Sequence, residues 1–194
     1  ARSVRTAKGD TYTASKVVVA SVTPQSLYLD LLDEECVPEK YRSAAQDYRY
    51  GRAGMQIHIA LSEPPRWSNP DMANVALVHV LDSIDSLSES VYAANRGFLP
   101  RRPTIVVGQP TTIDSSRAPE GAGLLWIQLQ EVPRVIRGDL AAEITHTGDW
   151  STHVRDQYAE RIIDQLQPHI ANISSAQTGN RLLYTSASAA EHTP

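Results

Sequence analysis

Met55-Gln-Ile-His-Ile-Ala-Leu-Ser62 is the stretch of sequence that decides the fold. Large apolar residues occupy every second position, and the small or polar residues between them are Gln56, His58, Ala60 and Ser62. Alternation with period two is typical of a β-strand that has one face on a hydrophobic core. We therefore predict a sheet that helices cover on one side, with the small and polar residues on the other side.

Working outward from this strand, other stretches supply the rest of a sheet. Further strands are predicted at 75–81, 104–107, 124–130 and 181–185. Helices are predicted at 23–32, 38–48, 84–96 and 151–167, most of them beginning near a proline or a capping residue. Strands interspersed with helices predict an α+β fold with a mixed, largely antiparallel sheet.

The helix from Ser151 to Gln167 is the predicted cover of the sheet. An apolar or aromatic residue recurs every fourth position from Trp150 to Leu166, and Asp149 is a plausible N-cap. The helix at 84–96 has a shorter apolar stripe, consisting of Ile84, Leu87, Val91 and Ala94. We expect the longer stripe to pack on Met55, Ile57, Ile59 and Leu61.

The beginning of the chain has a different pattern. Arg2 to Thr6 and Thr11 to Ala14 flank Lys8-Gly9-Asp10, which predicts a β-hairpin with a tight turn. The following run, Lys16-Val-Val-Val-Ala20, predicts a strand that is buried on both faces.

Composition limits the class of function. The 194 residues carry a net charge of −4 and no basic patch, so we do not expect nucleic-acid binding. No apolar run is long enough to span a bilayer, and no leader peptide opens the chain, so a cytoplasmic location is expected. The single cysteine, Cys36, follows an acidic stretch and is expected to be structural rather than nucleophilic.

The residues by themselves do not name a reaction. The sequence contains no G-x-G-x-x-G turn, no phosphate-binding loop, no nucleophile elbow and no helical pair of histidines for a metal. We predict no catalytic residue and no metal ligand. His58 and His79 lie on strands predicted to be neighbours and could face one another, but ordinary sheet-face histidines are the favoured interpretation.

Several longer motifs resemble those of a known family. The hairpin and strand at 6–20 resemble those of many two-domain flavoproteins. The stretch Tyr48-Arg-Tyr-Gly51 with the strand after it, and Pro65-Arg-Trp67, resemble phytoene dehydrogenase-like oxidoreductases. So does the stretch from Gly108-Gln109 through Asp114-Ser-Ser-Arg-Ala-Pro-Glu-Gly121 to Leu125-Trp126 and Val132-Pro133. These proteins belong to the flavin amine oxidase and phytoene desaturase superfamily.

The resemblance implies that this chain is the middle, substrate-binding segment of an FAD-dependent oxidoreductase. Residues 1–21 would be the last strands of the FAD-binding domain, and residues 22–194 would form the substrate-binding domain. Ala20 and Ser21 would then approach the flavin, while Gln56, His58, His79 and Gln128 would line the floor of the substrate site. FAD would carry the hydride chemistry in the parent protein.

The same resemblance implies which partners to expect. They are an apolar or polyene-like small molecule and the rest of the parent flavoprotein, and peripheral membrane contact of the parent is left open. Because the phosphate-binding turn is missing, we expect this polypeptide alone to retain no FAD and to be inactive. The alternative is a free-standing ligand-binding or protein-interaction module with no redox activity, and a hydrolase is a distant third.

Overall fold

The computed structural model describes residues 2–177 and, as a backbone strand, residues 182–186. The chain forms two compact units, one reaching Tyr50 and the other comprising Gly51–Ala187. The described chain contains helices and mainly antiparallel strands, which confirms the α+β class. The domain boundary proposed between residues 21 and 22 stays a prediction.

The first unit begins with the predicted hairpin. Strands β1 (Ser3–Arg5) and β2 (Thr11–Thr13) pair antiparallel, and Gly9 takes a φ of 94° in the turn. A π-helical segment (Ser26–Leu31), a 3₁₀ turn (Glu34–Cys36) and helix α1 (Glu39–Gln46) follow. These helices lie where the sequence predicts them.

The predicted buried strand at Lys16–Ala20 is wrong for this structure. No strand forms there, and Val17 and Val19 are 69% and 85% exposed. A β-branched run favours extended backbone, but a strand also needs a neighbour with which to exchange hydrogen bonds. In the described part of the chain no such neighbour pairs with this run.

The second unit is built on a five-stranded antiparallel sheet. Its strands are β3 (Ala53–Leu61), β4 (Leu77–Val80), β6 (Ile105–Gly108), β7 (Gly123–Val132) and β9 (Leu182–Ser186). Their spatial order is β4-β6-β7-β3-β9. Two short strands, β5 (Phe98–Leu99) and β8 (Gly138–Asp139), form a separate parallel pair.

Helix α3 (Thr152–Leu166) covers one face of the sheet, as predicted. Met55, Ile57, Ile59 and Leu61 are at most 1% exposed and belong to one core with residues of α3, namely Val154, Tyr158, Ile162 and Leu166. Burying side chains of this size contributes about 1.5–3 kcal/mol each. The predicted cap is corrected, because Ser151 rather than Asp149 accepts the N–H of Val154.

Helix α2 (Ile84–Asn95) buries a narrower face than its apolar stripe predicts. Ser90, Ala93 and Ala94 are buried, whereas Ile84 is 71% exposed. Ser83 and Ser86 cap the helix reciprocally, and the helix ends before Gly97, whose φ is 91°. Among the described helices, none combines the length and apolarity that crossing a membrane requires.

Candidate functional site

The candidate site is the sheet face that points away from the core, here called the outer face. It consists of the residues that alternate with the core residues on β3, β4, β6 and β7. The four residues predicted to line a substrate floor, Gln56, His58, His79 and Gln128, all belong to it. Their common side follows from period-two alternation, since residues paired directly across strands share a face.

The strand register arranges the predicted residues in a row across the sheet. Gln56 pairs directly with Gln128, Gln128 with Val106, and Val106 with His79. Directly paired residues have Cβ atoms about 4.5–5.5 Å apart, so the two amides are immediate neighbours. His79 lies two strands further on, about 10 Å from Gln128 at ordinary strand spacing.

His58 and His79 do not face each other across neighbouring strands, so the favoured interpretation of separate sheet-face histidines stands over a facing pair. Strands β7 and β6 lie between β3 and β4, and His58 pairs with Trp126 rather than with a residue of β4. Strands β3 and β4 are consecutive in the chain, but β6 and β7 lie between them in the sheet. Sequence order alone does not determine such an insertion.

A tryptophan that sequence reasoning did not select stands at the centre of the outer face. Trp126 pairs with His58 on one side and with Gly108 on the other. A Cβ atom placed on Gly108 would lie 2.8 Å from Cε3 of Trp126, so the indole rests against the bare glycine backbone. Alternation with the buried Leu125 and Ile127 was the signal that could have placed Trp126 here.

Ala20 and Ser21, the predicted flavin contacts, belong to the first unit. Both are exposed, and neither lies in a strand. Their role as flavin contacts stays a prediction.

One motif of the resemblance has a structural role beside the outer face. Gln109 is 1% exposed, and its Oε1 accepts the indole N–H of Trp67 at 2.8 Å. Its Nε2 donates to the carbonyls of Met72 and Val75 at 2.9 and 2.6 Å. These three bonds attach the connection before β4 to the end of β6 and satisfy a buried amide.

A second motif forms an exposed turn. Asp114 accepts from the backbone N–H and the hydroxyl of Ser116 and pairs with Arg117 at 3.3 Å. Hydrogen bonds from Ser116 lower the pKa of this carboxyl. Since the partners are all local, the motif stabilises its own loop and gathers no distant groups.

A buried ion pair joins helix α3 to strand β8. Arg161 on α3 and Asp139 have side chains that are 8% and 2% exposed and lie 2.6 Å apart. Burial would raise the pKa of Asp139, but hydrogen bonds from Arg161 and from the backbone N–H groups of Glu143 and Ile144 lower it to about 2. All of these groups are paired with one another, which indicates a structural rather than a catalytic pair.

The geometry defines what the outer face can do. It offers a flat indole, two amides and two imidazoles, which suit binding by stacking and hydrogen bonding. The N-cap residues of the described helices α1, α2 and α3 are Pro38, Ser83 and Ser151, and none of them lies in a glycine-rich turn. The described residues thus do not provide the phosphate cradle that FAD requires.

Comparison with known proteins gives a coarse relationship. No protein-family model matches the chain. In sequence, the chain is distantly similar to a protein that contains an oxidoreductase domain. One relative is the rat pyridine nucleotide-disulfide oxidoreductase domain-containing protein 2, which is 20% identical over 178 residues covering 87% of this chain.

The chain spans only 29% of the length of that rat protein. Among solved structures, the PF1083 protein of Pyrococcus furiosus aligns with a TM-score of 0.45 and 14% identity. That alignment covers 94% of this chain and 34% of the other.

Proposed function

We propose that this chain is the substrate-binding segment of a phytoene dehydrogenase-like, FAD-dependent oxidoreductase. In this proposal the outer face is the floor on which an apolar, polyene-like substrate lies. The observation that carries the proposal is the seating of Trp126 on Gly108, beside the partly buried Gln56, His58 and Gln128. The distant similarity to an oxidoreductase domain protein supports the same direction.

The outer face has the chemical character that a flat apolar ligand needs. An indole ring offers large apolar area at low conformational cost. Gln56 and Gln128, paired directly across β3 and β7, can bond to each other or to a polar end of the ligand. In the proposal, these residues with His58 and His79 position the substrate, and no residue of this chain transfers a proton.

The flavin is assigned to the rest of the parent protein. The exposed Val17 and Val19 form a strand-forming run that lacks a partner in the described chain. We propose that this run completes a sheet of the FAD-binding domain, which would bring Ala20 and Ser21 toward the flavin. FAD would supply the redox chemistry there, and the chain alone would retain none.

Titration with parinaric acid, a fluorescent polyene fatty acid, tests the substrate floor directly. Energy transfer from tryptophan to bound polyene is expected for the wild-type chain and is expected to fall strongly in Trp126→Phe. Trp150→Phe is the matched control, because Trp150 lies on the core side and donates to the carbonyl of Pro133. If the loss followed Trp150 instead, or if no polyene bound, the outer face would not be the substrate floor.

Cofactor content separates the parent from the fragment. We expect the purified chain to be colourless and a longer polypeptide with the upstream reading frame to carry flavin absorbance. Stoichiometric flavin on this chain alone, or none on the longer polypeptide, would contradict the proposal.

The second candidate is a free-standing ligand-binding or protein-interaction module with no redox activity. It is favoured by the second unit, which has its own core and no phosphate cradle among its described residues. A gene that begins just before Ala1 and stops after Pro194, together with polyene binding that needs no flavin, would decide for this module.

A further inference from the structure

The edge of the sheet at β4 combines free backbone groups with an adjacent cavity. Strand β4 pairs with β6 on one side, and no other described strand pairs with it. Natural sheet edges are usually protected by lysine, proline or a bulge. The sequence of β4, Leu-Val-His-Val, has none of these, and its ladder to β6 is regular.

The register shows which backbone groups of β4 point outward. The N–H of Gln109 donates to the carbonyl of Ala76 at 2.8 Å, which makes these two a hydrogen-bonded pair. Bonded and non-bonded pairs alternate along an antiparallel ladder, so Val78 and Val80 exchange bonds with β6. Leu77 and His79 therefore direct their N–H and C=O groups away from the sheet.

A cavity of about 780 Å³ lies beside this edge, between the sheet and α3. Val80, Ile105 and Ile144 contribute apolar surface to it. Along α3 its wall runs from Gln157 to Gln165, which is about two helical turns. The cavity thus lies on the core side of β4, where alternate side chains of an added strand would point.

The wall of the cavity also carries an unbalanced charge. Asp164 is exposed and accepts a hydrogen bond from Gln167, but it has no cationic partner among the described residues. The lining holds four carboxylates and three arginines. Arg102 pairs with Asp82 and Arg161 with Glu143, while Arg101 donates to the carbonyl of Leu140. A ligand that complements this wall carries a cation near Asp164.

We propose that the β4 edge and the cavity together form a docking site for an extended segment of a partner polypeptide. The segment adds a strand to β4 through the backbone groups of Leu77 and His79. Its alternate apolar side chains enter the cavity, and a lysine or arginine pairs with Asp164. This site lies on the opposite side of the sheet from the polyene floor and does not depend on it.

The test uses a library of soluble heptapeptides that alternate threonine with valine, leucine or phenylalanine and end in lysine. Binding is measured by fluorescence anisotropy and mapped by amide chemical shifts on the full chain. We expect members with dissociation constants below about 1 mM and shifts at 77–82 and 101–105. Methylating the peptide nitrogens that face β4 is expected to abolish binding.

Variants distinguish backbone pairing from nonspecific contact. Leu77→Pro removes an outward N–H without touching the ladder to β6 and is expected to weaken binding about tenfold. Leu77→Ala, the matched control, keeps that N–H and stays within about twofold of wild type. Val80→Phe fills the cavity and also weakens binding, and Asp164→Asn weakens only peptides that end in lysine.

Four results would overturn the proposal. They are the absence of any binding peptide, equal binding to Leu77→Pro, chemical shifts centred on Trp126, and a dimer in sedimentation that Leu77→Pro dissociates. The last result would assign the β4 edge to a second copy of this chain. Shifts centred on Trp126 would move peptide binding to the outer face, and the other three results do not bear on polyene binding, so the two proposals can fail separately.

Discussion

The indole of Trp126 rests on the backbone of Gly108 so closely that no side chain at position 108 would fit beneath the ring. The two residues pair across β7 and β6, and a methyl group on Gly108 would come within 2.8 Å of the ring. The smallest residue and the largest residue of the outer face therefore depend on each other for their positions.

Gly108→Ala is expected to displace Trp126 and to destabilise the fold by about 1–3 kcal/mol, as overpacking commonly does. Near-ultraviolet circular dichroism and urea unfolding measure the two effects. Gly51→Ala is the control, because no atom lies within 4 Å of a Cβ at that position, and we expect a change of less than about 0.5 kcal/mol. An unchanged spectrum and stability in Gly108→Ala would contradict the packing described here.

Gln109→Leu is expected to destabilise the chain by about 1–3 kcal/mol or more, since it leaves the indole N–H of Trp67 and two carbonyls without partners. The free energy of unfolding in urea is the measurement. Gln130→Leu, at an exposed position of β7, is the matched control and should change little. Equal effects of the two substitutions would show that the three hydrogen bonds add nothing to stability.

Asp139 should make stability depend on acidic pH. Its pKa falls from 3.8 to about 2 on folding, so the ionised form is favoured in the native state. Its contribution, about 2 kcal/mol, is present above about pH 4 and disappears as the pH falls through about 2. Asp139→Asn should therefore be less stable than wild type at neutral pH, with the difference narrowing in that window.

Thermal unfolding measured from about pH 2 to about pH 7 tests the effect of Asp139, because this range spans both pKa values of its carboxyl and extends to neutral pH. Glu120→Gln is the control, because Glu120 is exposed in the turn that precedes β7. A constant difference between wild type and Asp139→Asn over the whole range would exclude the proposed linkage.

Glu131 has the opposite dependence. Burial of this carboxyl raises its pKa, although the N–H of Thr104 donates to it at 3.2 Å. The ionised form is thus disfavoured in the fold, and stability falls as the pH rises through the pKa of Glu131. Glu131→Gln, which keeps an acceptor for Thr104, should unfold at a higher temperature than wild type at neutral pH. That advantage should shrink in acid, and a lower midpoint at neutral pH would refute the prediction.

Local sequence determined the parts of the fold that depend on periodicity. The alternation of apolar and polar residues at 55–62 placed Ile57 in the core and Gln56 on the outer face. The apolar or aromatic residue at every fourth position of α3 placed that helix over the sheet. The class and the hairpin followed from the same kind of local pattern, whereas the side shared by the four candidate residues also needed the strand register. These patterns are readable because a side chain's direction is fixed by its own backbone.

Tertiary structure alone decided how those elements meet. The order β4-β6-β7-β3-β9 separated His58 from His79 and set Trp126 on Gly108. It also left β4 with one neighbour among the described strands and gave Gln109 three partners more than 30 residues away. Strand pairing and burial depend on contacts between residues distant in the chain, and no short stretch of sequence specifies which neighbour a strand will find.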